Sequence, residues 1–136
     1  MADTMDFLFP NVAETDGIIV RVAVSFLPEQ SSPEAGRWFW SYHVRIENRR
    51  AGPVQLIERD WRIVDGSGHL FAVRGDGVVG ETPLIAPGDS YDYVSGCPLE
   101  TSSGEMHGSY RLIDADGTSF DVAIPHFALL GPQRRQ

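Results

Sequence analysis

Polar and apolar residues alternate through most of this chain. Over residues 17–26, Ile18, Val20, Val22, Val24 and Phe26 fall on one side and Arg21 and Ser25 on the other. That is the period-2 pattern of a strand with one buried face. Residues 38–48 repeat it, with Trp38, Trp40, Tyr42, Val44 and Ile46 in one phase and Phe39, Ser41, His43, Arg45 and Glu47 in the other. A third strand is predicted from Val54 to about Val64, broken at Glu58-Arg59-Asp60. After the turn Asp65-Gly66-Ser67-Gly68 the chain returns through Leu70-Phe71-Ala72-Val73. Two more strands are predicted, from Ser90 to Gly96 with Tyr91 and Tyr93 on one face, and from Met106 to Ile113 with Met106, Tyr110 and Leu112. A last strand points Phe120, Val122 and Ile124 inward, is stopped by Pro125, and leaves residues 126–130 as a short extension.

The breaks between these runs carry proline, glycine and aspartate. Residues 27–37 hold two prolines and no periodicity, residues 49–53 end in Gly52-Pro53, and Ala86-Pro87-Gly88-Asp89 and Asp114-Ala115-Asp116-Gly117 are turn sequences. No stretch keeps three-to-four spacing over the roughly ten residues of a surface helix. Seven or so short strands joined this way predict an all-β domain, an immunoglobulin/fibronectin type III-like β-sandwich of two antiparallel sheets. A closed barrel is the alternative. The 136 residues suit a single domain over residues 16–130, with 1–15 as an N-terminal extension and 131–136 as a flexible tail.

The formal net charge is -8, and all 11 basic residues are arginine. Such a surface repels polyphosphate backbones, so nucleic acid is not an expected partner. The cluster Arg49, Arg50, Arg59, Arg62 and Arg74 reads as solvated strand and turn residues. No run approaches the roughly 18–20 apolar residues of a membrane-spanning helix. Met1-Ala2-Asp3-Thr4-Met5-Asp6 lacks the basic start of a secretion signal, so a cytoplasmic location is expected. Cys97 is the sole cysteine and forms no internal disulfide.

Candidate chemistry is sparse. Gly75-Asp76-Gly77-Val78-Val79-Gly80 matches G-x-G-x-x-G, but Pro83 and β-branched residues stand where a dinucleotide-binding fold needs a helix. A helix-free backbone nest beside Arg74 remains, which makes Arg74, Gly75, Gly77 and Gly80 a candidate phosphate loop for pyrophosphate or a nucleotide. His43, His69, His107 and His126 have no zinc-ligand spacing, although His43 and His107 lie in strands that a sheet could bring together. Asp65, Asp114, Asp116 and Asp121 border turns, where aspartate is favoured by local hydrogen bonding. Cys97 in Ser95-Gly96-Cys97-Pro98 has no visible partner base and reads as a buried thiol. Phe39, on the face opposite Trp38 and Trp40, marks either an exposed aromatic patch for a protein partner or a residue packed beneath the 27–37 loop.

Taken together, several segments resemble the ApaG family. They are Trp38-Phe39-Trp40-Ser41-Tyr42-His43-Val44-Arg45-Ile46-Glu47-Asn48, Trp61-Arg62-Ile63, and the glycine run at 75–80. The resemblance continues through Tyr91-Asp92-Tyr93-Val94-Ser95-Gly96-Cys97-Pro98-Leu99, residues 104–110 and Ile124-Pro125-His126-Phe127. It implies a fibronectin-type-III-like sandwich and a family associated genetically with cobalt resistance and magnesium efflux. Eukaryotic relatives, within F-box proteins and a polymerase-associated protein, imply a protein-interaction module. Asp60 stands before Trp61 where the family usually has histidine, so a metal or phosphate role for that histidine does not carry over. The expectation is therefore a non-enzymatic module without cofactor, structural metal or membrane partner. It binds a protein and is a monomer or weak homodimer.

Overall fold

The alternating runs become strands because each has one face that must leave water and backbone groups that only a neighbouring strand can satisfy. The computed structural model describes residues 4–132. One sheet has the order β1 (Asn11–Thr15), β2 (Ile18–Phe26), β3 (Trp38–Asn48), β7 (Ser90–Leu99). The other runs β5 (Leu70–Asp76), β4 (Val54–Asp65), β8 (Ser103–Asp114), β9 (Ser119–Leu130), with the two-residue β6 (Leu84–Ile85) also on β4. All pairings are antiparallel. The two sheets face each other as a sandwich, and Trp40, Val44, Ile46, Leu56, Tyr110 and Leu112 fill its centre.

The structure departs from the periodicity in four places. Residues 11–15, assigned to the N-terminal extension, pair with β2 as β1, and a five-residue helix α1 (Thr4–Leu8) precedes them. β4 continues through Glu58-Arg59-Asp60, because a bulge at Ile57 shifts its register against β8 and restores the inward phase at Arg59, Trp61 and Ile63. β9 continues through Pro125. There Pro125 and His126 oppose the single residue His107, so proline's missing N–H falls within a bulge and the buried phase moves from Val122 and Ile124 to Phe127 and Leu129. Arg21, expected in solvent, is buried with its Nε donating to Glu47 Oε2 at 2.9 Å. Residues 131 and 132 follow β9 without regular structure, and the rest of the predicted tail, 133–136, lies outside the described residues.

The two sheets are offset. At one side β1 meets β9, where the Ala123 N–H donates to Thr15 Oγ1 at 3.1 Å. Trp40 of β3 donates from Nε1 to the Leu130 carbonyl of β9 at 3.1 Å, and Tyr93 of β7 hydrogen-bonds to Tyr110 of β8. Leu99 of β7 packs against Gly104 of β8, where an added Cβ would stand 2.6 Å from Leu99 Cδ1. The first sheet is thus displaced toward β8 and β9. Among the described residues no strand lies beyond β7, and the inner face of β5 looks past it.

Candidate functional site

The offset leaves a cleft between β5 and β7. Register places Phe71 beside Ile63, Val73 beside Trp61 and Gly75 beside Arg59, so these pairs share the inner face. Trp61 and Met106 are buried at the base, while Phe71 and Val73 on the lip remain 42% exposed each. Ser95, Cys97 and Leu99 of β7 form the opposite wall of a cavity of about 360 Å³. A wider mouth of about 670 Å³ adjoins it and shares Phe71, Pro98 and Leu99. An inward Phe and Val left half-exposed on a folded sandwich are the observation that sets this face apart.

Arg59 closes the other end of the cleft. Its Nη1 donates to the carbonyls of Asp76 at 2.9 Å and Gly77 at 3.0 Å. The guanidinium lies flat over Gly75, where a Cβ would come within 2.8 Å of Nη2, so glycine is what lets the cation reach this position. Its hydrogen bonds go to carbonyls and not to a carboxylate, in a chain of formal charge -8.

The candidate phosphate residues do not converge. Gly75 lies under Arg59 on the inner face, while Arg74 is on the outer face, its Nε 3.2 Å from Asp60 Oδ2. Asp60 also accepts from Arg62 Nε at 2.9 Å, and that bond holds its carboxyl below the ordinary range. The Gly77 N–H donates to the Ile57 carbonyl at 2.8 Å. Val78 and Glu81 exchange backbone hydrogen bonds around the two-residue turn Val79-Gly80. Gly77 has φ of +60°, and a Cβ there would stand 2.0 Å from the Glu81 carbonyl oxygen. The glycine pattern therefore builds a hairpin and a seat for Arg59.

The remaining sequence candidates separate. His43 and His107 lie on different sheets: His43 Nε2 is 2.9 Å from Asp92 Oδ1, and His107 stacks on His126 with ring centroids 5.9 Å apart. His69 lies against Phe71 at the cleft mouth. The carboxylates of Asp65 and Asp114 accept backbone N–H groups of their own turns, and Asp121 pairs with Arg111. Among the described residues no three His, Cys, Asp or Glu side chains cluster as metal ligands. Phe39 lies over Gly96 on the outer face of β7, and its backbone also ties down the 27–37 loop through Ser31 and Leu27.

Chemically the cleft is quiet. Burial pushes the Cys97 thiol up to about 11, so it is neutral at pH 7. Burial likewise raises Tyr42, Tyr93 and Tyr110 above the ordinary phenol range. Among the described residues no histidine lines the cavity around Cys97. What the inner cavity offers, among the described residues, is apolar area, the Arg59 cation and the open edges of two strands.

Similar proteins carry the same architecture. The chain is 52% identical over 124 residues to protein ApaG of Methylobacterium sp. (strain 4-46) and 51% to that of Bradyrhizobium sp. (strain ORS 278). Each match covers 91% of this chain and 95% of the relative. A crystal structure from Bordetella pertussis, described as an ApaA protein, superposes with a TM-score of 0.83 at 43% identity, covering 86% of this chain and 95% of that one. The C-terminal domain of wzt shares the fold alone, at 12% identity and a TM-score of 0.57. The model of the ApaG domain matches residues 28–114, a stretch that includes both walls of the cleft, and the chain belongs to the ApaG family.

Proposed function

We propose that this chain is a non-catalytic module that binds a protein partner in the cleft between β5 and β7. The observation that carries the reading is the pair Phe71 and Val73, inward on their strand yet 42% exposed above a buried Trp61 and Met106. Covering both would remove apolar surface worth about 1–2 kcal/mol from water, the scale of an interface anchor. Any bearing on cobalt and magnesium runs through that partner in the cytoplasm, not through metal held by this chain.

The test is affinity capture from an extract of the producing bacterium, with wild type beside Phe71→Asp. Phe71 is half-exposed, so the variant is expected to fold with a melting temperature within about 3 °C of wild type. A partner recovered by wild type should be lost by Phe71→Asp; equal recovery would overturn the cleft as the docking site.

The phosphate reading of Arg74, Gly75, Gly77 and Gly80 ranks second. Arg74 already pairs with Asp60, and the Gly77 N–H is committed to Ile57. Calorimetry with pyrophosphate and ATP is expected to give no saturable heat. A dissociation constant below about 100 μM, lost in Arg74→Ala, would reverse the ranking.

A further inference from the structure

The vacancy beside β7 has the dimensions of a strand. Strands in a sheet lie about 4.8 Å apart and facing sheets about 10 Å apart. One strand added to the outer edge of β7 would therefore lie opposite β5, which otherwise faces no strand. The edge is ready to pair. The Asn48 N–H donates to the Asp89 carbonyl at 3.0 Å, and from there the antiparallel register runs Ile46 to Tyr91, Val44 to Tyr93, Tyr42 to Ser95 and Trp40 to Cys97. By alternation these β7 residues turn their backbone groups toward β3, and Asp92, Val94 and Gly96 turn theirs outward. Pro98 has no N–H and ends the open edge.

The side chains around the slot specify what an added strand must carry. Residues of a guest strand that pair with inward β7 residues point inward themselves. Along the cleft the inward pairs run Arg59 beside Gly75, then Trp61 beside Val73, then Ile63 beside Phe71, and Ser95, Cys97 and Leu99 of β7 line the same cavity. Arg59 supplies a cation whose hydrogen bonds, among the described residues, go to the Asp76 and Gly77 carbonyls.

We infer that the partner of this chain presents an extended segment that adds to the outer edge of β7, with two apolar side chains and one carboxylate at alternate positions, the carboxylate on Arg59 and the apolar pair against Val73 and Phe71. This rests on the protein-binding reading above and gives it a mode and a chemistry, strand addition with side-chain pockets.

The probes are two blocked heptapeptides, Thr-Val-Thr-Val-Thr-Glu-Thr and its reverse, titrated into the full chain while backbone amide shifts and exchange are followed. One of them should saturate with a dissociation constant below about 1 mM, shift residues of β5 and β7, and slow amide exchange at Val94 and Gly96. Replacing its Glu by Gln should weaken binding to wild type about tenfold and to Arg59→Met less than about twofold. Methylating one backbone nitrogen that faces β7, that of the Thr after the central Val in the first, antiparallel peptide or that of the central Val in the reversed, parallel one, should abolish binding without any change to the protein.

Failure of both peptides at about 5 mM, shifts elsewhere on the surface, tolerance of the N-methyl group, or an equal loss from Glu to Gln on both proteins would each overturn strand addition. So would a dimer in sedimentation at the working concentration whose Val94 and Gly96 amides are already protected from exchange before any peptide is added. If Phe71→Asp loses its captured partner while neither peptide binds, the interaction module stands and this mode of binding does not.

Discussion

Cys97 shows how burial decides the chemistry of a residue. Its side chain lines the cleft, yet the residue is only 3% exposed, and the low polarity around it holds the thiol protonated up to about 11. At pH 8 its labelling by iodoacetamide should be about a hundredfold slower in the native chain than in the urea-unfolded chain, because two pH units separate the two thiols. The sign for stability follows from the same shift. A thiol raised by folding contributes nothing adverse below its ordinary value of 9.0 and costs stability progressively as pH climbs from there through about 11. Tyr42, Tyr93 and Tyr110 are raised in the same direction by burial and add to that loss above their ordinary value of 10.0. Urea unfolding at pH 7, 9 and 10.5 should show constant, then falling, free energies; rapid labelling at pH 8 or rising alkaline stability would contradict the buried, unreactive thiol.

Among the elements, the hairpin after β5 carries a correctable strain. Val79 has φ of +47° and Gly80 φ of +79°, with Val78 and Glu81 hydrogen-bonded across them. Both central residues of this tight turn are left-handed, a conformation that suits asparagine and glycine and penalises a β-branched side chain. Val79 is exposed, so little packing is lost on replacing it. Val79→Asn should stabilise the fold by about 1 kcal/mol, read as a higher urea midpoint at unchanged m-value. Gly77→Ala should act oppositely, by about 2 kcal/mol or more, because its Cβ would collide with the Glu81 carbonyl.

The same elements show what was legible in the sequence. β2 and β3 were, because one phase of each is apolar throughout, from Ile18 to Phe26 and from Trp38 to Ile46. β1 was not, since Asn11, Ala13 and Thr15 give its inner phase no large apolar residue. The break at Glu58-Arg59-Asp60 was the readable trace of the site, since a charge inside a strand pattern marks either a loop or an inward cation. The bulge at Ile57 that separates the two cannot be seen from residue types. The glycine pattern at 75–80 drew attention to the right neighbourhood for a different chemistry. Gly75 matters because a guanidinium rests on it, and that guanidinium comes from a strand 16 residues earlier.

At the scale of the whole molecule, the first sheet slides toward β8 and β9, closing one side of the sandwich and opening the other, and function is assigned to the open side. Val12 serves as the comparison site, because it is exposed on β1 at the closed side. The most direct measurement is photo-crosslinking in living cells with a benzophenone side chain placed at Phe71 or at Val12. The account predicts a discrete, heavier adduct from position 71 and none from position 12, with the adduct suppressed when Val73→Asp is introduced beside it. An adduct from position 12 with none from position 71 would place the partner on the closed side and contradict the account.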